Sequence, residues 1–347
     1  MNPLRFSNHR QAGFSLVELM IALVLGLLVT GAVMGVFLSN QQIQRQNEGL
    51  ARMQESARYA FEVLSRSIRE AGGIPCGSGL RVSNVLNPPS QWWADWANNT
   101  IRGYAGGDAT FPRAFGTAAG DRVSGTEAIV VLSGTGSEGL IIVDHNAPAA
   151  EFKVNTTAHG IVDGDILLVC DYDHAAILQT TNASSSTVTI VHNTGTSGVS
   201  PGNCSKYLGW PVPSTCGSSG PGSDPPSYTF EKNGFISKLQ ATGWYIGHNG
   251  RGRRSLYRLR LQNNSGSALA SAEEVAEGIT DLQFQYLRRV AGGLADSYVA
   301  ASSITDWSEV VAVRLTLITR TLESVGTDQQ PIERQWPTVV TLRNRQP

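Results

Sequence analysis

Gly13-Phe14-Ser15-Leu16-Val17-Glu18-Leu19-Met20-Ile21-Ala22-Leu23 is the stretch on which the reading of this chain turns. It opens an apolar run of 25 residues, Phe14 to Leu38, in which Glu18 is the single charge. As a helix that run measures ~37 Å at ~1.5 Å per residue, enough to span a bilayer. Before it, residues 1–13 carry Arg5, His9 and Arg10 and no acid. The run is too long for the apolar segment of a cleaved secretory signal, and no small-residue cleavage site follows it. The arginines place the N-terminus in the cytoplasm and the remainder outside. A carboxylate inside such a run costs roughly 2.5–3.5 kcal/mol on insertion scales, if Glu is priced like Asp. Two readings of Glu18 follow: a hydrated side chain at the interface, or a functional carboxylate awaiting a cationic partner.

Composition narrows the rest. The chain has 347 residues, a net charge of −1 and 16% charged residues, so no global field favours nucleic acid or an anionic surface. Collagen, a coiled-coil rod, a fully disordered chain and a polytopic membrane protein are excluded.

No proline occurs between Pro3 and Pro75. Past the span, Leu50, Met53, Ala57, Ala60, Leu64, Ser67 and Ala71 recur at steps of three and four, widened by Phe61 and Ile68. Charges fill the other face, with Glu48–Arg52, Glu55–Arg58 and Glu62–Arg66 at helical pair spacing. One helix is therefore expected from Phe14 to about Ala71, ending at Gly72-Gly73. At 58 residues it would be ~87 Å long. Gly26, Gly31 and Gly35 serve either local unwinding or close helix packing.

Residues 74–347 read as short strands between Gly, Asn and Asp turns. Expected strands are Glu127–Leu132, Leu140–Asp144, Asp165–Val169, Ala176–Thr180, Thr187–Val191, Trp244–Gly247, Ser255–Leu261, Asp281–Leu287 and Glu309–Thr319. Leu282, Phe284 and Tyr286 alternate cleanly, as do Val311, Val313, Leu315 and Leu317, which suits an antiparallel sheet with one face on the core. The amphipathic half of the helix is the expected cover. In residues 193–227, Gly, Ser, Pro, Asn and Thr fill 26 of 35 positions. The four cysteines, Cys76, Cys170, Cys204 and Cys216, allow three disulfide connectivities. Cys204–Cys216 would order this polar loop and leave Cys76–Cys170 to tie the helix exit to the sheet. The sequence alone does not choose.

Chemical motifs are sparse. Residues 134–139 satisfy GxGxxG, but the strand-like Leu140–Val143 follows where a dinucleotide site needs a helix, so a hairpin turn is expected. Asp171, Asp173 and His174 read as a polar turn, because no second ligand cluster accompanies them. No metal, cofactor or catalytic set is expected. Arg251, Arg253, Arg254, Arg258 and Arg260 form a basic cluster. It reads as solvated arginines or a partner surface before it reads as a nucleic-acid site. Trp92, Trp93 and Trp96 read as local core, with an exposed partner surface second.

The opening motif resembles the type IV pilin superfamily: a short basic leader, a Gly, then a Phe that begins an apolar helix with Glu five residues in. Later blocks resemble the PilW family of minor pilins. They are Glu70-Ala71-Gly72-Gly73 with Cys76, Gly164–Val169 leading into Ala176–Gln179, Trp244–Gly247 before Ser255–Arg258, Glu277–Gln283, and Trp307–Arg314. Cys170 comes slightly earlier than the family's cysteine after that strand. The resemblance implies an α+β, pilin-like fold: a long N-terminal helix packed on a large antiparallel β-sheet domain. Its parts would be a leader (1–13), a transmembrane assembly helix (14–38), an amphipathic continuation (39–73) and a periplasmic β-rich domain (74–347). It also implies prepilin peptidase cleavage after Gly13, N-methylation of Phe14, and docking of Glu18 on the Phe14 amine of a neighbour. Implied partners are prepilin peptidase, other minor pilins, the major pilin, the inner-membrane assembly platform and inner-membrane lipid; nucleic acid is not expected. The implied role is priming pilus assembly, for processes such as pilus-dependent motility, with incorporation at or near the tip. Alternatives are a minor pseudopilin of type II secretion and a tip adhesin or DNA-binding pilin.

Overall fold

The proline-free N-terminal sequence forms one helix, α1 (Leu16–Arg69), in a computed structural model that describes residues 13–134, 140–196, 198–326 and 328–345. The chain divides into two compact units. The first holds α1 through Arg52 together with Thr321–Ile332; the second holds Met53–Arg320 and the segment from Glu333 onward.

In the first unit, Arg52 lies 3.8 Å from Glu323, and the buried Gly49 packs on Thr321 and Val325. The 321–332 segment closes on itself through Thr321 N–H to Ile332 O at 2.9 Å and Ile332 N–H to Thr321 Oγ1 at 2.9 Å. Arg52 thus forsakes the expected pair with Glu48, which instead accepts from Gln44 Nε2. Of the three expected helical pairs, Glu62–Arg66 forms, at 3.1 Å.

In the second unit α1 ends where Gly72 takes φ +68° and donates its N–H to Leu132 O. The strands follow: β1 (Arg81–Asn84), β2 (Ile101–Tyr104), β3 (Ala128–Ser133), β4 (Leu140–Asn146), β5 (Glu151–Val154) and β6 (Ile166–Cys170). Next come β7 (His174–Gln179), β8 (Asn182–Ala183), β9 (Thr189–Val191), β10 (Phe235–Lys238), β11 (Gln240–His248) and β12 (Arg254–Asn264). The last are β13 (Ser267–Glu277), β14 (Ile279–Val290), β15 (Gly293–Leu294), β16 (Val310–Arg320) and β17 (Glu333–Thr341). They build three sheets, in the orders β1-β7-β6-β10-β4-β5-β9-β8, β13-β12-β11-β3-β2 and β15-β14-β16-β17. All pairs are antiparallel except β1 with β7.

Three cores stack these layers. Ala60, Leu64 and Ile68 of α1 share the first with Ile129, Val131, Trp244, Leu282, Phe284, Tyr286, Val313, Leu315 and Leu317. The second fills the space between the five- and eight-stranded sheets, and takes in Trp93 and Trp96 with Trp92 packed against it. The third lies on the far side of β6 and β7, where Leu167, Val169, Ala176 and Leu178 meet Phe152, Leu208 and Phe230. The four-stranded sheet keeps the expected solvent face, with Gln283, Gln285 and Arg314 exposed between buried neighbours, but the inner layers do not. β3, β6 and β7 are buried on both faces, which explains their continuous apolar runs. Val311 drops out of its expected row because the β14–β16 register slips at Leu287/Arg288, so Val310 is buried instead.

Buried polar side chains fasten the long connections. Gln179 donates from Nε2 to Gly164 O and Ser200 O, both at 2.9 Å, and accepts Gly202 N–H at Oε1. Asn203 donates to Gln179 O, so the 193–227 loop is knitted to β7. Gly164 and Gly266 meet back to back: a Cβ on Gly164 would come 2.4 Å from Gly266 Cα. Gly266 also occupies, with Ser265, the two positive-φ positions of the β12–β13 hairpin (93° and 51°).

Arg122 is fully buried and, among the described residues, has no carboxylate partner. It donates to the carbonyls of Asp108, Ala105 and Thr126 between the rings of Phe111 and Phe115. Burial lowers its pKa to about 10. Arg122→Met keeps the stem but strips three buried or half-buried carbonyls of their donors. We expect it to cost about 2–4 kcal/mol, read as a lower urea midpoint at unchanged m-value.

His145 and His192 lie inside the third layer against Phe152. Burial lowers His145 to about 4 and His192 to about 3. Both stay neutral in the fold, whereas the unfolded chain gains protons below ~6.5. Stability is then full above that pH and falls as pH drops toward the folded values. Between pH 7 and 5 the loss should be roughly 2 kcal/mol per histidine, and His192→Phe should flatten the pH dependence of the urea midpoint.

Candidate functional site

The helix begins at Leu16, two residues later than expected, because Ser15 caps it. Glu18 N–H donates to Ser15 Oγ at 3.2 Å and Ser15 N–H donates to Glu18 Oε2 at 3.1 Å. This reciprocal pair is a capping box, legible in the spacing Ser-x-x-Glu though not read there. Glu18 thus neutralises the positive end of its own helix. Its Oε1 carries no hydrogen bond among the described residues. Gly13 and Phe14 precede the cap as exposed coil, with the Phe14 side chain 89% exposed. Residues 1–12 of the expected leader (1–13) lie outside the described residues.

From Leu16 to Leu38 every large apolar side chain is exposed. Among the described residues α1 is the one helix long and apolar enough to cross a membrane, with a mean hydropathy of 2.6 in its most apolar window. A Cβ on Gly26, Gly31 or Gly35 would meet nothing within 4 Å among the described residues beyond the adjoining backbone of its own helix, and the helix runs through all three without a break. Nothing in the chain's own packing requires them.

The cysteines form two bonds, Cys76–Cys170 and Cys204–Cys216. The first joins the segment after α1 to the end of β6; the second closes a turn within the 193–227 loop.

The arginine cluster lies mostly beside acids of β13. Arg251 and Arg253 reach Glu277 at 2.5 and 3.5 Å, and Arg258 pairs with Glu273. Arg254 donates to Thr280 O, and Arg258 also sits 5.8 Å from the Trp244 ring. Among the described residues Arg260 makes neither a hydrogen bond nor an ion pair. A patch whose charges are answered strand to strand offers little to a phosphate backbone.

Asp171 is buried and accepts from the backbone N–H groups of Asp173, His174 and Glu231 and from Tyr228 Oη. Burial and that carboxylate push the Tyr228 phenol up. His174 Nε2 is 2.7 Å from Leu208 O, so this group is a turn braced from within. Among the described residues no three His, Cys, Asp or Glu gather as metal ligands. Of the GxGxxG stretch, residues 135–139 lie outside the described residues.

Two family models match the chain. The prokaryotic N-terminal methylation motif matches residues 8–34, and the Type IV Pilus-assembly protein W model matches residues 243–344. Comparison with curated proteins and comparison with solved structures each return no match. The second match runs from within β11 through β17, so the resembling blocks from Trp244 onward fall inside it. Those at 70–76 and 164–179, with the whole eight-stranded sheet, fall outside both. A methylation motif at the head of a single exposed apolar helix places the chain at the inner membrane and in association with the pilus. Taken with the C-terminal match, this makes the chain similar to PilW-type minor pilins of the type IV pilus.

Proposed function

We propose that prepilin peptidase cuts this chain after Gly13 and N-methylates Phe14. The processed chain then primes pilus assembly with other minor pilins at the inner-membrane assembly platform, and stays at or near the pilus tip beside the major pilin. In this reading residues 1–13 are the leader and 14–38 the membrane and assembly segment. Residues 39–73 continue the helix into the periplasm, where 74–347 make lateral contacts. The role is assembly rather than catalysis.

The carrying observation is the state of Glu18. It is the one charge in an exposed apolar helix, and one carboxylate oxygen is held by the cap while the other is free. Cleavage after Gly13 would create an amine at Phe14. Two opposite charges attract far more strongly in hydrocarbon than in water, so the amine of one subunit and the free oxygen of another are matched. Ser15 fixes the carboxylate while leaving that oxygen available.

Mass spectrometry of sheared fibres and of membranes tests the processing. A methylated N-terminus at Phe14 in sheared pili, far below the major subunit in amount, supports an incorporated minor pilin. The same peptide confined to the membrane favours priming alone or a secretion pseudopilin. A chain still beginning at Met1 in both fractions, in cells with active prepilin peptidase, would overturn the reading. The docking step has its own test. Glu18→Ala should remain processed and membrane-bound while its amount in sheared fibres falls by about tenfold or more, as for the loss of a buried ion-pair partner. Ser15→Ala, which costs the cap about 1 kcal/mol, should have a much smaller effect.

A further inference from the structure

Each of the three sheets ends in two edge strands, and an edge strand offers unpaired N–H and C=O groups to any chain able to pair with them. Five of the six edges are blunted. β1 and β2 have four residues each, and β8 and β15 have two. β17 has nine, with Pro337 in its middle. The sixth edge is β13, 11 residues long with neither proline nor lysine. On one side it pairs with β12.

One bond fixes the direction of its free groups. Ala268 N–H donates to Ser200 O at 2.9 Å, and Ser200 N–H donates to Gly266 O at 3.0 Å. Ser200 therefore already lies against the start of this edge as a parallel bridge to Ser267. Ala268 N–H points away from β12, and by the two-residue period of a strand so do the N–H and C=O groups of Ala270 and Ala272. Those groups have no partner among the described residues. Past Ala272 the edge is spoiled, because the ladder shifts at Leu256/Tyr257 and Glu273 and Glu274 bring charge.

The two faces of this open stretch ask for different side chains. Ala268, Ala270 and Ala272 pack half-buried against the second core, so apolar residues laid beside them would complete its cover. On the opposite face Arg260 stands across from Ser271 and is exposed, with no acid beside it among the described residues. A residue on an added strand next to Ser271 would lie about 10 Å from the Arg260 backbone, two strand spacings away, within reach over the small serine. We infer that the open edge of β13 takes an extended segment of another chain as an added strand. Its apolar side chains cover the three alanines, and an acidic one beside Ser271 meets Arg260. A second β13 does not fit this description. Its acids are already held, Glu273 by Arg258, Glu274 by Ser255 Oγ and Glu277 by Arg251 and Arg253. The inference uses no residue of α1 and is independent of the docking reading.

Fluorescence polarisation on the full chain in detergent provides the test. The probe is a labelled peptide, Thr-Val-Thr-Val-Glu-Val-Thr-Val-Thr, blocked at both ends; a second carries Lys in place of Glu, and a third is the Glu peptide N-methylated throughout. The Glu peptide should bind with Kd below about 1 mM, the Lys peptide at least about threefold more weakly, and the N-methylated peptide not measurably. Ala270→Pro removes an outward N–H without touching the β12 ladder, and should weaken the Glu peptide by about tenfold or more at a nearly unchanged thermal midpoint. Arg260→Glu should reverse the preference between the Glu and Lys peptides. Arg254→Glu, the same charge change at the far end of β12, should leave it as it is. Absence of binding by the Glu peptide would overturn the inference. So would binding that survives N-methylation, which would mark apolar contact without strand pairing, or a preference that Arg254→Glu reverses as well as Arg260→Glu. A dimer of the chain itself in sedimentation, lost in Ala270→Pro, would overturn the choice of a foreign strand.

Discussion

The sheet-bearing unit depends on one contact, the seating of Ala60, Leu64 and Ile68 on two sheets at once. These residues meet Ile129, Val131 and Trp244 of the five-stranded sheet and Leu282, Phe284, Val313 and Leu315 of the four-stranded sheet. Neither sheet could bury that face on the other alone. The helix supplies the common apolar partner, and Trp244 Nε1 donates to Ser67 Oγ at 3.0 Å to set its position. Small residues at Ala57, Ala60 and Ala71 let the backbone approach closely; the large side chains come from the strands. Everything beyond, including the third core and the cross-linked loop, is layered outward from this seat.

Where the chain must cross between layers, it relies on buried polar side chains rather than apolar area. Gln179, Asn203 and Arg122 each collect several backbone partners from other segments, and Asp171 ties its own turn to Tyr228 and Glu231. The segments they hold are too rich in Gly, Ser and Pro to build an apolar core of their own. A side chain that satisfies two or three otherwise orphaned backbone groups is the economical solution, because each such group left bare would cost about 1–3 kcal/mol. The disulfides act on the same segments. They join Cys76 to the end of β6 and close the turn at Cys204–Cys216.

The two ends of α1 carry different physics. Its first part bears apolar side chains with no partner in this chain, and Glu18 there serves its own helix through Ser15. From Met53 on, the apolar stripe is consumed by packing, and the charged face stays in solvent. The helix thus has one part suited to lipid or to neighbouring helices and another committed to its own domain.

Much of this was legible in the sequence. The single long helix, its glycine stop, the Phe14–Glu18 motif and all nine expected strands follow from short-range rules of period, capping and turn chemistry. β13 was not legible: Ser-Ala-Leu-Ala-Ser-Ala-Glu-Glu-Val-Ala-Glu favours a helix by propensity, yet it is a strand because β12 offers it a continuous ladder of partners. β17 was masked by Pro337, tolerated on an edge strand where its missing N–H need not pair with a neighbour. The Ser15–Glu18 cap was visible in its spacing and overlooked. The pairing of the arginines with Glu273 and Glu277 and the isolation of Arg260 were beyond any reading of the chain alone. Local sequence determines what each segment can become. Only the tertiary structure decides which strands adjoin, and therefore which charges are answered and which are left free.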